Sequence, residues 1–312
     1  MTNKKTISIV VPSHNEEKNV VLMHKEIVKV WKSQMSYNYE IIYIDDGSQD
    51  KTWEEIKKIS HEDSNVRGIT FSRNFGHQAA IEAGLKKAKG EAVIMMDADL
   101  QHPAYLIPTL IKKWEEGYEI VNTKRINSGK ERLFKRLSSW GFYKLINSMS
   151  SLTIEEGSAD FRLLDRKVVN ELNKITEKDK FYRGLVNWIG FRSISIEYVA
   201  GERINGKTSY SLRKMITFAR VGITSFSMLP MKIIMAIGIF LFTLGSIGFG
   251  TMLFFRYFID PAFFSGSVIL SAFIIMNNGF LILVLGIIST YQIVMMKEIQ
   301  NRPTYIVREE VK

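Results

Sequence analysis

From residue 1 to about residue 200, short apolar runs alternate with amphipathic stretches. Thr6–Val11 is β-branched and apolar, and Pro-Ser-His-Asn breaks it. Between Glu16 and Lys32 the apolar positions Val20, Met23, Ile27, Val30 and Trp31 recur at helical spacing. Glu40–Ile44 reads as a second strand, ended by Asp-Asp-Gly-Ser, and a helix carrying Trp53, Ile56 and Ile59 follows Asp50. Val66–Phe71 reads as a third strand and Gln78–Ala88 as a third helix. Ala92–Met96 is a continuous apolar strand, as expected where helices cover both faces of a sheet. This alternation implies an α/β, doubly wound, mostly parallel sheet. Ligands of such sheets bind beyond the carboxyl ends of the strands. Polar clusters fall at those ends: Pro12–Glu17, Asp45–Ser48, Ser72–His77 and Asp97–His102.

After Lys124 the pattern changes. Lys124–Arg136 holds six basic residues and one acid around Gly129 and reads as a loop. Leu137–Leu152 is amphipathic and aromatic. Gly157–Leu164 leads into another strand and helix, and Ser193–Val199 alternates like a strand. Ser211–Met228 is a basic amphipathic helix candidate, suited to a membrane interface. Met231–Phe255 is apolar apart from Lys232, and Phe263–Met296 holds no charged residue, enough length to cross a bilayer. The expected organisation is a large α/β domain over 1–210, a juxtamembrane segment over 211–230, two transmembrane helices within 231–296 (about 231–255 and 267–293), and a tail over 297–312. Arg213, Lys214, Arg220 and Lys232 precede the spans, and Lys297, Arg302 and Arg308 follow them. The positive-inside rule then puts both termini in the cytoplasm of a multi-pass protein of the cell membrane. Asn277 and Asn278, near the middle of the second span, suggest a homo-oligomer through the spans, or pairing with Ser246 or Thr243 of the first.

Composition sharpens this picture. The 312 residues carry 42 Lys+Arg against 32 Asp+Glu, a net +10. Cut after Glu202, the first part has 31 basic and 28 acidic residues, so +3, and the second has 11 and 4, so +7. The excess charge flanks the apolar segments, which argues for anionic lipid and against nucleic acid as the partner. There is no cysteine, hence no disulfide framework, Cys-ligated zinc or thiol nucleophile. With 46% hydrophobic residues the chain is not disordered. The apolar run near the N-terminus is too short for a signal peptide, so the catalytic part is expected to stay unexported.

The strongest chemical signal is Met96-Asp97-Ala98-Asp99-Leu100-Gln101-His102-Pro103. Alternate side chains of an extended segment share a face, so Asp97 and Asp99 can approach one cation together. Oxygen ligands suit Mg²⁺ or Mn²⁺, and Gln101 continues the alternation as a third candidate. Asp45-Asp46-Gly47-Ser48, at another strand end, can accept hydrogen bonds from a ribose or a base. Arg73, in the loop after the third strand, can serve a phosphate or brace its loop. Gly201–Thr208 matches the phosphate-cradling pattern GxxxxGK[ST]. A nucleotide-hydrolase reading fails, because no later strand is expected to carry the acidic partner for its metal.

Taken in order, VVPSHNEE (10–17), IDDGS (44–48), SRNFGHQAAIEAGL (72–85), MDADLQHP (96–103), ADFRLLDR (159–166) and the stretch from Glu202 to Met215 resemble the family 2 glycosyltransferases. The likeness is to the membrane-anchored polyprenyl-phosphate glycosyltransferases related to dolichol-phosphate mannose synthase, and it spans nearly the whole chain. It implies a GT-A fold, a Rossmann-like sheet. It implies that Pro12, Glu16 and Asp46 hold the nucleotide's base and ribose. Asp97, Asp99 and Gln101 would bind Mg²⁺ or Mn²⁺, while Arg125, Arg203 and Lys207 would contact phosphates. Asp160 would sit at the reacting centre, positioning the acceptor or stabilising the sugar cation, with base catalysis second. Arg132, Lys135 and Arg136 could recruit the acceptor head group. His14, His102 and Ser209 depart from residues common in relatives. The implied reaction is inverting transfer of a sugar from a nucleotide diphosphate sugar, UDP-glucose or UDP-N-acetylglucosamine, to polyprenyl (undecaprenyl) phosphate. Two alternatives are a catalytically inactive GT-A membrane scaffold and a processive polysaccharide synthase. The second lacks its usual QxxRW motif here.

Overall fold

The computed structural model describes residues 4–34, 36–126, 158–178, 180–199, 243, 247–260 and 264–312. The chain forms two compact units, Met1–Gly222 with Pro303–Lys312, and Ile223–Arg302. Arg132, Lys135, Arg136, Arg203, Lys207, the GxxxxGK[ST] match, the amphipathic 211–230 and most of the first expected span lie outside the described residues.

The first unit is built on eight strands: β1 (Thr6–Ser13), β2 (Asn38–Asp45), β3 (Val66–Phe71), β4 (Ala92–Met95), β5 (Ile120–Ile126), β6 (Ser158–Asp165), β7 (Ser193–Val199) and β8 (Val307–Val311). Their order across the sheet is β7-β5-β6-β4-β1-β2-β3-β8. The helices are α1 (Glu17–Gln34), α2 (Thr52–Glu62), α3 (His77–Lys87), α4 (Ile107–Glu115), α5 (Arg166–Lys174) and α6 (Tyr182–Trp188). β1 pairs in parallel with β2 and β4, and β2 with β3, as the strand–helix alternation predicts. The sheet is mostly parallel, as expected, with β5 also parallel to β7, and two strands run the other way. β6 runs antiparallel between β4 and β5, and β8 runs antiparallel along β3. An apolar run reads the same in either direction, so periodicity could not reveal this.

Parallel strands buried on both faces explain the unbroken apolar runs. Ile9 sits between Ile41 and Ile94 in register, and all three are fully buried. Val20, Met23 and Ile27 of α1 cover one face. On α3, a side chain at Gly84 would come within 2.1 Å of Val10 Cγ1, so only glycine lets this helix lie so close to β1.

The tail over 297–312 needs correction. Its last residues are the edge strand β8. Trp53 Nε1 donates to Glu309 Oε2 at 2.9 Å, Lys87 Nζ meets Glu310 at 2.7 Å, and Tyr305 stacks on Phe71 with ring centres 4.9 Å apart.

In the second unit, α7 (Gly266–Gln300) is 35 residues long. Ser265 caps its start by accepting from the Val268 amide, and Asn301 ends it in the left-handed conformation at φ 46°. Asn277 Nδ2 donates to the carbonyl of Phe273 at 3.0 Å, one turn back in the same helix. One of the Asn277 donors is thereby satisfied within its own helix. Among the described residues no helix is long and apolar enough to cross a membrane. The sequence of α7 carries no charge from Gly266 to Met296.

Candidate active site

β4, β1, β2 and β3 are parallel neighbours, so the loops after them line one edge of the sheet. At the end of β4 the chain turns sharply, with Leu100 at φ 62°. A bulky residue rarely adopts that conformation, and here it folds Gln101 back onto Asp99. The Gln101 amide N–H donates to Asp99 Oδ1 at 3.1 Å and its side-chain Nε2 to Asp99 Oδ2 at 2.9 Å. Gln101 Oε1 accepts from Arg125 Nη1 at 3.1 Å. Gln101 and Arg125 thus both belong to the carboxylate loop, but the amide oxygen faces Arg125 and not a shared cation position. His102 holds the loop from inside. Its Nδ1 accepts from the Asp97 amide N–H at 2.9 Å, and its ring stacks on Phe161 at 5.3 Å.

Asp160 is buried on β6, and Arg183, at the start of α6, closes on it twice. Arg183 Nε lies 2.8 Å from Oδ1 and Nη2 lies 2.7 Å from Oδ2. Arg162, two residues along β6 and also buried, lies 3.8 Å from the same carboxylate. His77, the first residue of α3, puts Nε2 at 3.5 Å from both Asp97 Oδ1 and Asp160 Oδ2. Burial alone would raise the Asp160 carboxyl, but Arg183 and His77 outweigh it and hold the group well below the usual carboxylate range. Burial would likewise lower His77, yet Asp97 and Asp160 raise it to about 9, so the imidazole is charged at neutral pH. The side chain keeps 40% of its surface open. Burial brings Arg162 down to about 10, with Asp160 opposing, which leaves it a cation.

This arrangement decides what Asp160 can do. A carboxylate bound bidentately by one guanidinium, with another nearby, is a weak proton acceptor. It is well suited to holding fixed charge in a dry place. His77, Arg162 and Arg183 were not singled out from the sequence. His77 stands inside the 72–85 motif, but its nearness to two carboxylates arises from β4 and β6 flanking the β1–α3 packing. Nothing in the local sequence marks Arg183.

The other expected residues stand at the ends of β1 and β2. Pro12 pairs with Ile44, and Glu16 is held by Asn19 Nδ2 at 2.5 Å. Asp46 is buried, and its two oxygens accept the backbone N–H groups of Phe75 and Gly76 at 2.6 and 2.9 Å. Burial raises its carboxyl and those two donors oppose the rise. Asp46 therefore braces the loop after β3, where the sequence suggested a ribose or base contact. Gly47, at φ +63°, passes so near that loop that a Cβ would come within 2.4 Å of the Arg73 backbone. Beside these loops lies a cleft of about 600 Å³, bordered by His14, Gly47, Ser48, Arg73, Trp53 and Arg308. Among the described residues no group of three or more His, Cys, Asp or Glu side chains is set to hold a metal.

The sequence profile of the family described as glycosyl transferase family 2 matches residues 8–172. An uncharacterized glycosyltransferase of Bacillus subtilis, YkcC, is 39% identical over 97% of this chain and 93% of its own length. The SfII prophage-derived bactoprenol glucosyl transferase of Shigella flexneri is 35% identical over 97% of each chain. A prophage bactoprenol glucosyl transferase homolog of Escherichia coli is 36% identical over 98% of this chain and 99% of its own. Among solved structures, a mannosyltransferase of Pyrobaculum calidifontis aligns at TM-score 0.44 and 16% identity, over 66% of this chain and 59% of that one. The chain belongs to glycosyl transferase family 2 and is a transferase.

Proposed function

We propose that this protein transfers a sugar, glucose or N-acetylglucosamine, from its uridine diphosphate donor to polyprenyl phosphate. The observation that carries the reading is the cluster in which Asp97 and Asp160 share His77, with Arg183 closed on Asp160. The bactoprenol glucosyl transferases of Shigella and Escherichia to which the chain is similar support a polyprenyl acceptor and a glucosyl group.

An oxygen of the acceptor phosphate attacks the anomeric carbon. The bond from that carbon to the donor's diphosphate breaks, and the nucleoside diphosphate leaves with the electron pair. Single displacement inverts the configuration. A phosphate monoester has a second pKa of about 6 and is already an anion at neutral pH. No general base is then required, which agrees with Asp160 being held ionised by Arg183. The fixed negative charge of Asp160 faces the anomeric carbon as it becomes positive, while His77 and Arg125 face the anionic groups on either side. Asp97 and Asp99, two carboxylates at an open strand end, fit Mg²⁺ or Mn²⁺. When bound, such a cation supplies positive charge to the departing diphosphate. Gln101 would join them only by turning its amide from Asp99 and Arg125. Pro12, Glu16 and the loops after β2 and β3 form the nucleotide end. Arg132, Lys135, Arg136, Arg203 and Lys207 remain candidates for the acceptor and phosphates.

We place the protein in the cell membrane, crossing it twice, with the catalytic unit cytoplasmic and its product feeding cell-envelope glycosylation. The charge-free run through α7 supports one span. β8 supports an even number of crossings, because the residues that follow the second unit return to the sheet of the first.

Membranes containing the protein, given labelled nucleotide sugars, undecaprenyl phosphate and Mg²⁺ or Mn²⁺, should form a lipid-linked sugar, and Asp97→Ala should abolish it. No such product from any common donor, with Asp97→Ala indistinguishable from wild type, refutes the reading.

A further inference from the structure

α3 does more than present His77. Gln78 Oε1 accepts the backbone N–H of Tyr182 at 2.9 Å. One turn further along, Glu82 Oε1 meets Lys180 Nζ at 2.9 Å, and both side chains are about 95% buried. Residues four apart lie on one helix face, so Gln78 and Glu82 form two pins into the chain that opens α6. The residue delivered there is Arg183. α6 has only seven residues and no side-chain cap at its start; buried Tyr182, Leu185 and Val186 pack it down, and the two pins add polar fixed points just before Arg183. α3, by contrast, is locked on the sheet through the close approach of Gly84 to Val10.

A buried Lys–Glu pair is a poor source of stability, because desolvation offsets most of the attraction. Its value must then lie in geometry.

We infer that Glu82 and Lys180 are positioning residues for the transfer reaction: from α3, they set the start of α6 so that Arg183 meets Asp160 in the bidentate geometry. Neither touches the reacting atoms. One helix thereby aligns two of the partners of Asp160, His77 directly and Arg183 through the pins. The inference rests on the glycosyltransferase reading above.

The test is a set of variants assayed in the same membranes, with thermal unfolding in detergent measured beside kcat and KM. Lys180→Met should lower kcat at least tenfold with the donor KM changed less than threefold, and Lys180→Arg should recover most of it. Because Lys180→Met strips the buried Glu82 of one of its cations and leaves it to the part-exposed Lys86 at 2.7 Å, folding is controlled by the double variant Glu82→Met/Lys180→Met. Apolar replacement of the whole pair should restore Tm to near wild type. Expected is a double variant that unfolds like wild type yet keeps the low kcat. A double variant that recovers both Tm and kcat overturns the inference and leaves the pair a purely structural contact. So does Lys180→Met with an unchanged kcat at temperatures where it is folded. If wild type itself transfers no sugar, the glycosyltransferase reading fails instead. The inference is then read from the Arg183 Nε–H resonance, which should shift in the double variant if the pair aligns Arg183 and stay fixed if it does not.

Discussion

Arg183 meets Asp160 through two parallel contacts, Nε to Oδ1 at 2.8 Å and Nη2 to Oδ2 at 2.7 Å. Only a planar guanidinium makes that fork. Arg183→Lys keeps the charge and loses one of the two bonds. Its kcat should fall on the order of 10- to 100-fold, the worth of one charge-assisted hydrogen bond felt at the reacting centre. Steady-state transfer rates check this, and an unchanged kcat would mean that the fork does not matter to the reaction.

Asp160→Asn tests the other side. It leaves Arg183, Arg162 and His77 without their shared counter-charge in a buried place. A loss of about 3–5 kcal/mol is expected from breaking a buried ion pair on one side. Denaturant or thermal unfolding reads the loss, and a variant as stable as wild type would show that solvent relieves the cluster.

The pH dependence of stability should carry the mark of Glu82. Burial pushes its carboxyl up, but Lys86 and Lys180 outweigh that and leave it below its ordinary value. A group lowered on folding stabilises above its unfolded pKa, here about 4.3, and that stability is lost as pH falls through the lower folded value. Wild type should therefore exceed Glu82→Gln in Tm at pH 7, with the gap closing below about pH 4. A gap that stays constant down to pH 3 contradicts this.

At Gly84 the prediction is steric. A methyl group there must displace Val10 or lift α3 from β1. Gly84→Ala should cost about 1–3 kcal/mol, although alanine is the better helix former. A stabilised Gly84→Ala would mean that α3 shifts freely.

Glu309→Ala removes the acceptor of the Trp53 indole N–H and should cost about 1 kcal/mol. Removing 303–312 should cost more, because it also strips Tyr305 from Phe71 and uncovers the edge of β3. Unfolding of the two variants beside wild type checks the order.

How much of this was legible in the sequence depended on whether the signal was local. β1 to β4 and α1 to α3 showed themselves through periodicity, since each buries its own apolar face against the sheet. Asp97 and Asp99 showed themselves because two carboxylates at a strand end are close in sequence as well as in space. The fork between Asp160 and Arg183 joins residues 23 positions apart, and no spacing rule covers it. Asp46 and Gln101 were legible as polar groups at the right edge, but not as groups already engaged with the Phe75–Gly76 backbone and with Arg125. β8 was hidden for another reason. Val-Arg-Glu-Glu-Val is mostly exposed, and it is a strand because β3 offers it backbone partners, not because it buries a face.

That strand also leaves the ribosome long after the strand it covers. β3 is complete at Phe71, but its edge partner begins only at Val307, so synthesis holds that edge open on the order of tens of seconds. An unpaired edge is a template for the wrong neighbour. The short, charged Val-Arg-Glu-Glu-Val works as a late seal, and a chain that stalls or is cut before it would expose the edge that the finished protein covers.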